Sequence, residues 1–312
     1  MKIKKAGKAF YRDVVDLMSH TFKGFAEDKA MKMSASLAYY AIFSIAPLLL
    51  IIIWLIGFVF GEYVEGQAGA QTEVFAEFAS LFGEDVAVQI QQVIHKISVS
   101  DKSGISVAIG IGTLMIGSTT IFVDIQDSIN RIWKVRARPR KGWLKMILNR
   151  VISFSMVVGL GFLLIASLIL NGIIGALSNY ITEYLPAGIS VYLLNWINIG
   201  ITFVVITVLF GTIFSVLPDA RIRVRDILGG ALFTASLFML GRYLIALYMQ
   251  FSAPASAYGA AGSVIILLLW VYYSAAILYF GAEFTKAYAE KYGDGITPAP
   301  YAVRIVHQEI QI

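Results

Sequence analysis

Six long apolar stretches, at residues 35–60, 104–123, 151–177, 191–217, 227–250 and 261–284, constrain this chain more than any other feature of its sequence. At 1.5 Å rise per residue, each is long enough as a helix to cross a hydrocarbon layer about 30 Å thick. None alternates polar and apolar residues as a barrel strand must, so helices are predicted throughout. Composition agrees: 58% of residues are hydrophobic and 14% charged, with a mean hydropathy of +0.74, whereas a water-facing fold carries about a quarter charged residues. The expected fold class is an all-α membrane protein with six transmembrane helices. The first stretch follows more than thirty mostly polar residues and is too long for a signal peptide, so it is expected to stay in the mature chain.

Orientation follows from the basic residues, because positive loops stay on the cytoplasmic side. Eight of the 25 Lys and Arg lie before residue 34, and eight more, with no carboxylate among them, lie between Arg131 and Arg150. The loop RIRVR adds Arg221, Arg223 and Arg225, and the tail adds Lys286, Lys291 and Arg304. All of these share one side if both termini are cytoplasmic, leaving only Lys96 and Lys102 outside and Arg242 within a span. The outer segment is acidic, with Glu62, Glu65, Glu73, Glu77, Glu84, Asp85 and Asp101.

Three regions accompany the spans. Residues 1–34 form a cytoplasmic region in which Phe10, Val14, Leu17, Phe22 and Phe25 recur at helical spacing. This predicts an amphipathic helix, lying either on the inner leaflet or against the cytoplasmic ends of the spans. Residues 61–103 are expected to fold as an outer helical segment broken near Gly83, serving as a packed hairpin, a lid or a docking surface for an envelope partner. Residues 285–312 form a cytoplasmic tail. Pro47 removes a hydrogen bond inside the first span and makes it a candidate hinge, although a static kink has the same signature.

An ionisable group inside a span costs about 2.5–3.5 kcal/mol on insertion scales, which singles out Arg242. It is expected either to face the bundle interior or to snorkel into outer headgroups. At the inner end, Asp124, Asp127 and Arg131 recur on one helix face with Asn130 beside it, while Tyr39 and Tyr40 open the first span and Glu283 closes the sixth. These residues are candidates for a polar cytoplasmic mouth that handles a substrate. Local ion pairs, Asp127 with Arg131 and Glu283 with Lys286, account for the same spacing. Arg136, Arg138, Arg140, Lys141 and Trp143 have the character of an interfacial anchor for anionic headgroups, which explains the basic face without nucleic acid.

Covalent chemistry finds little support. Cysteine is absent, which removes disulfides, thiolate nucleophiles and cysteine-bound metals. The three histidines, His20, His95 and His307, are dispersed, and neither HExxH nor GxSxG occurs. No enzyme activity, no metal and no cofactor are expected.

The segments ASLAYYAIFSIAPLLLI (35–51), IQDSINRIW (125–133), RIRVRDILGGALFTA (221–235) and SAYGAAGSVIILLLWVYYSAAILYFGAEF (256–284) together resemble the YihY/BrkB family of bacterial inner-membrane proteins, formerly mislabelled ribonuclease BN. The resemblance covers most of the chain, in order. It implies a six-span protein of the bacterial inner membrane and points to transport or envelope lipid handling. Two functions are carried forward: a transporter or flippase-like protein for an anionic, lipidic or envelope-related substrate, and a non-transporting scaffold that docks an envelope protein through 62–103.

Overall fold

The computed structural model describes residues 2–41, 120–138, 187–252 and 262–306. The outer segment 61–103, Pro47, Arg140, Lys141 and Trp143 lie outside the described residues. Helix α1 spans Lys2–Glu27 and is followed by α2 over 30–41 and α3 over 120–132. Strand β1 (Val135–Ala137) precedes α4 (Ala187–Val216), β2 (Ala220–Arg221) and α5 (Val224–Ser252). The long α6 (Gly262–Tyr292) leads into β3 (Thr297–Pro298) and β4 (Ala302–Arg304).

Several of these helices begin or end for local reasons. Pro218, which has no N–H to offer, stops α4 two residues past Val216. Asp226 sits in the first turn of α5, where a carboxylate complements the positive end of the helix. Lys29 and Lys134 both adopt φ of +56° and close α1 and α3 in the left-handed region usually given to glycine. Among the described residues two helices have windows long and apolar enough to cross a membrane, Ile199–Val216 and Val224–Ile245, with mean hydropathies of 2.4 and 1.4. Their outward faces remain apolar, as in Val204 and Val208 on α4 and Leu228, Leu232 and Leu240 on α5. That pattern suits lipid better than water.

Helices α5 and α6 are in close contact. Gly230 faces Thr285 and Gly281 faces Thr234, so that each helix offers a glycine and, four residues on, a threonine to the other. A methyl group on either glycine would land on the opposing threonine. Each threonine hydroxyl is satisfied within its own helix, donating to the carbonyl of Gly230 or Gly281 at 2.7 Å. Small residues with internally bonded hydroxyls let two backbones approach without stranding a polar group.

Helix α1 lies along the C-terminal half of α6: Phe22 and Phe25 meet Phe280, and Asp13 and Asp16 meet Lys291. Of the two placements expected for this amphipathic helix, the structure shows packing against a neighbouring helix. Leu17 and Thr21 are buried on that contact, while Tyr11, Val15 and Phe22 keep apolar surface exposed. The core gathers Ile129, Ile132 and Trp133 of α3 and the turn after it, Phe210 and Phe214 of α4, Ala231 and Ala235 of α5, and Tyr279 and Ala282 of α6.

Two antiparallel ribbons were not anticipated from the sequence. In β1–β4, Val135 pairs with Arg304 and Ala137 with Ala302; in β2–β3, Ala220 pairs with Pro298. The tail therefore does not hang free after α6. It stitches together the segment that follows α3 and the loop between α4 and α5, at what is called below the ribbon end of the bundle.

Candidate functional site

Arg242 lies on α5, 18 residues beyond Val224 and hence about 27 Å along the helix from the ribbon end. It follows Ile227, Ala231, Ala235 and Phe238 on the inward stripe of the helix, not Leu228, Leu232 and Leu240 on the outward one. Phe238, one turn earlier, touches Phe210 of α4 and Trp270 of α6, both at 5.8 Å between ring centroids. Next to Arg242, Gly241 is pressed against Tyr273 of α6. Arg242 as a whole residue is half-buried.

A group of buried and half-buried charges lies at the ribbon end, where α1, α2, α3 and α6 meet. Asp28, in the turn between α1 and α2, is buried and takes Lys134 Nζ on Oδ1 at 2.9 Å, with Lys286 Nζ 3.8 Å from Oδ2. Lys286 also reaches Glu283 Oε2 at 3.3 Å, the pairing its spacing of three residues allows. Glu283 is only 2% exposed. Gly24 admits it: a side chain at that position would collide with the Glu283 carboxylate. Trp133 closes this region, its Nε1 donating to the Ala282 carbonyl at 3.0 Å.

A second polar node lies beside it. Asn130 donates through Nδ2 to Asp219 Oδ2 and accepts the Asp219 backbone N–H on Oδ1, both at 2.8 Å, and Gln126 donates to Asp219 Oδ1 at 3.3 Å. All three residues are buried. Tyr301, from the turn before β4, also reaches this carboxylate. Burial, and then the Asp219 charge, push the Tyr301 phenol above its ordinary value. This node locks the α4–α5 loop onto α3.

The sequence-selected residues therefore separate. Asp124 accepts a hydrogen bond from Ser36 of α2 at 3.3 Å, and Asn130 and Glu283 are internal. Asp127 and Arg131 are exposed, so the face of α3 turned inward is that of Gln126, Asn130 and Trp133. Tyr39 and Tyr40 are exposed, with their rings 5.8 Å apart edge to face. Arg136 and Arg138 are exposed on and just after β1. Sequence reasoning missed Asp28, Gln126, Lys134 and Asp219, whose partners are about ninety to a hundred residues distant along the chain. Among the described residues no three His, Asp or Glu side chains are grouped to hold a metal.

The chain matches the family model described as "Virulence factor BrkB" over residues 21–305. It is 28% identical to a UPF0761 membrane protein of Alteromonas mediterranea over 312 residues, covering 97% of this chain and 98% of that relative. A UPF0761 membrane protein of Vibrio vulnificus is 27% identical, with 92% and 84% covered. One from Pseudomonas paraeruginosa is 28% identical over 87% of this chain, which spans 62% of that relative's length. No solved structure matches. The inward apolar stripes, the lipid-like outer faces and a family match from the end of α1 to the final ribbon lead to one conclusion: this chain belongs to the BrkB family of membrane proteins.

Proposed function

We propose that the chain is a six-span protein of the bacterial inner membrane, with both termini cytoplasmic, that translocates an anionic lipid or envelope-related molecule without covalent chemistry. The observation that carries this reading is Arg242 on the inward stripe of α5, one turn beyond the aromatic contact of Phe238 with α4 and α6. A fixed positive charge on the inward stripe of an apolar helix favours a visiting anionic headgroup, and the basic loops at the ribbon end supply further positive charge along the inner leaflet.

The test is reconstitution into phosphatidylglycerol-containing vesicles, following the movement of fluorescent phosphatidylglycerol between leaflets by chemical quenching. Wild-type protein accelerates exchange. Arg242→Gln lowers the rate by about tenfold or more, as expected for loss of a charged hydrogen bond of about 1.5–3 kcal/mol, and Arg242→Lys keeps part of it. Equal rates for wild type and Arg242→Gln would refute the proposal. If cellular function instead survives Arg242→Gln and is lost when Glu73, Glu77 and Glu84 become Gln, the chain is a scaffold acting through its acidic outer segment.

A further inference from the structure

The charge cluster at the ribbon end contains two buried oxygens without a hydrogen bond, Asp28 Oδ2 and Glu283 Oε1. Both carboxyl groups meet the same ammonium, with Lys286 Nζ 3.8 Å from Asp28 Oδ2 and 3.3 Å from Glu283 Oε2. Their other oxygens are engaged, Asp28 Oδ1 by Lys134 at 2.9 Å and Glu283 Oε2 by Lys286 at 3.3 Å. Two ionised carboxylates cannot donate to one another, so in that state both oxygens would lack a donor and the two neighbouring charges would repel. A proton taken up by either carboxyl gives the pair a donor and removes one of the two like charges.

We propose that Asp28 and Glu283 form a proton-binding pair, a carboxylic acid hydrogen-bonded to a carboxylate, buried where α1 docks on α6. A metal ion suits the site less well. Only two oxygens are free, where a hard cation takes six or more ligands. The groups facing the pair come from each neighbouring element: Lys286 from α6 itself, Lys134 from the end of α3, and the backbone of Gly24 from α1. Proton uptake changes by one the charge held between α1 and α6 and thereby links cytoplasmic pH to the seating of α1. This inference goes beyond translocation, because the pair holds its proton whether or not anything crosses the bundle.

Infrared spectroscopy of the full-length protein in lipid tests it directly. At neutral pH the wild type shows the C=O stretch of a protonated carboxyl, shifted by carboxyl-13C glutamate or aspartate labelling and lost on titration to alkaline pH. Glu283→Gln removes the band yet keeps the fold, because its amide can donate to Asp28 Oδ2 and accept from Lys286 as the protonated acid does. Glu290→Gln, on the exposed side of α6, leaves the band in place. Absence of any such band in labelled wild type at neutral pH overturns the proposal without reliance on a variant. Retention of the band in Glu283→Gln, or its displacement by sodium at constant pH, also overturns it.

Discussion

Replacing Asn130 by Ala probes a buried two-bond polar contact between α3 and the α4–α5 loop. Two hydrogen bonds of 2.8 Å are lost, one to the Asp219 carboxylate and one from its backbone N–H. The first, to a charged group, contributes about 1.5–3 kcal/mol, and a buried N–H left without a partner costs about 1–3 kcal/mol. Gln126 still holds Asp219 Oδ1 at 3.3 Å and can shift to take up part of the loss. The expected destabilisation is therefore about 3 kcal/mol, large against the ordinary total for a folded chain. Equilibrium denaturation in mixed micelles, read through the fluorescence of buried Trp133 beside Phe214, measures it. Asn130→Asp places two carboxylates face to face and should be at least as damaging. The exchange Asn130→Asp with Asp219→Asn restores a donor opposite an acceptor and should return to within about 1 kcal/mol of wild type. A loss below about 0.5 kcal/mol for Asn130→Ala, the level of an ordinary surface substitution, refutes the reasoning. So does a double variant no more stable than Asn130→Asp alone.

Two other predictions concern helix contacts. Gly230→Ala and Gly281→Ala each drive a methyl group into a threonine of the facing helix, so each should destabilise by about 1–3 kcal/mol in the same assay; a neutral result would mean that α5 and α6 are not in close contact. The Asp16–Lys291 pair, at 2.9 Å, fastens the exposed side of α1 to α6. Its hydrogen bond from Lys291 holds Asp16 below the ordinary 3.8, and the same bond raises Lys291 above 10.5. The Asp16 contribution is thus present above pH 3.8 and lost as pH falls through the lowered value, while the Lys291 contribution is present below 10.5 and lost as pH rises through the raised one. Hydrogen exchange of the α1 amides should stay slow across the neutral range and speed up modestly at both extremes, since an exposed pair is screened by solvent. Lys291→Met should remove that dependence, and an unchanged profile would show that the pair does not fasten α1.

How far the sequence can be read depends on what each residue's signal reports. The apolar runs at 191–217 and 227–250 announced α4 and α5, because a helix in lipid must be apolar on every outward face. The last run, ending at 284, gave no notice that α6 continues to Tyr292. The end of an apolar run marks where the surroundings change, not where backbone hydrogen bonding stops. Beyond it Phe284, Tyr288 and Tyr292 keep one stripe of the helix aromatic. On α3, charge drew attention to Asp127 and Arg131, which face out, over Gln126, which faces in. Neutral amides are as common on surfaces as in cores, so nothing local distinguished it.

The sequence by itself determined the medium and the class of fold, since hydrophobic run length and the placement of lysine and arginine are local quantities that lipid and membrane insertion act on directly. Only the tertiary structure decided which charges meet. Asp28 joins Lys134 and Lys286, Asn130 holds Asp219, and the tail pairs with two distant loops, across separations at which no periodicity links the partners. Such contacts form because a buried charge or amide must find some partner. Which one it finds is set by how the helices pack.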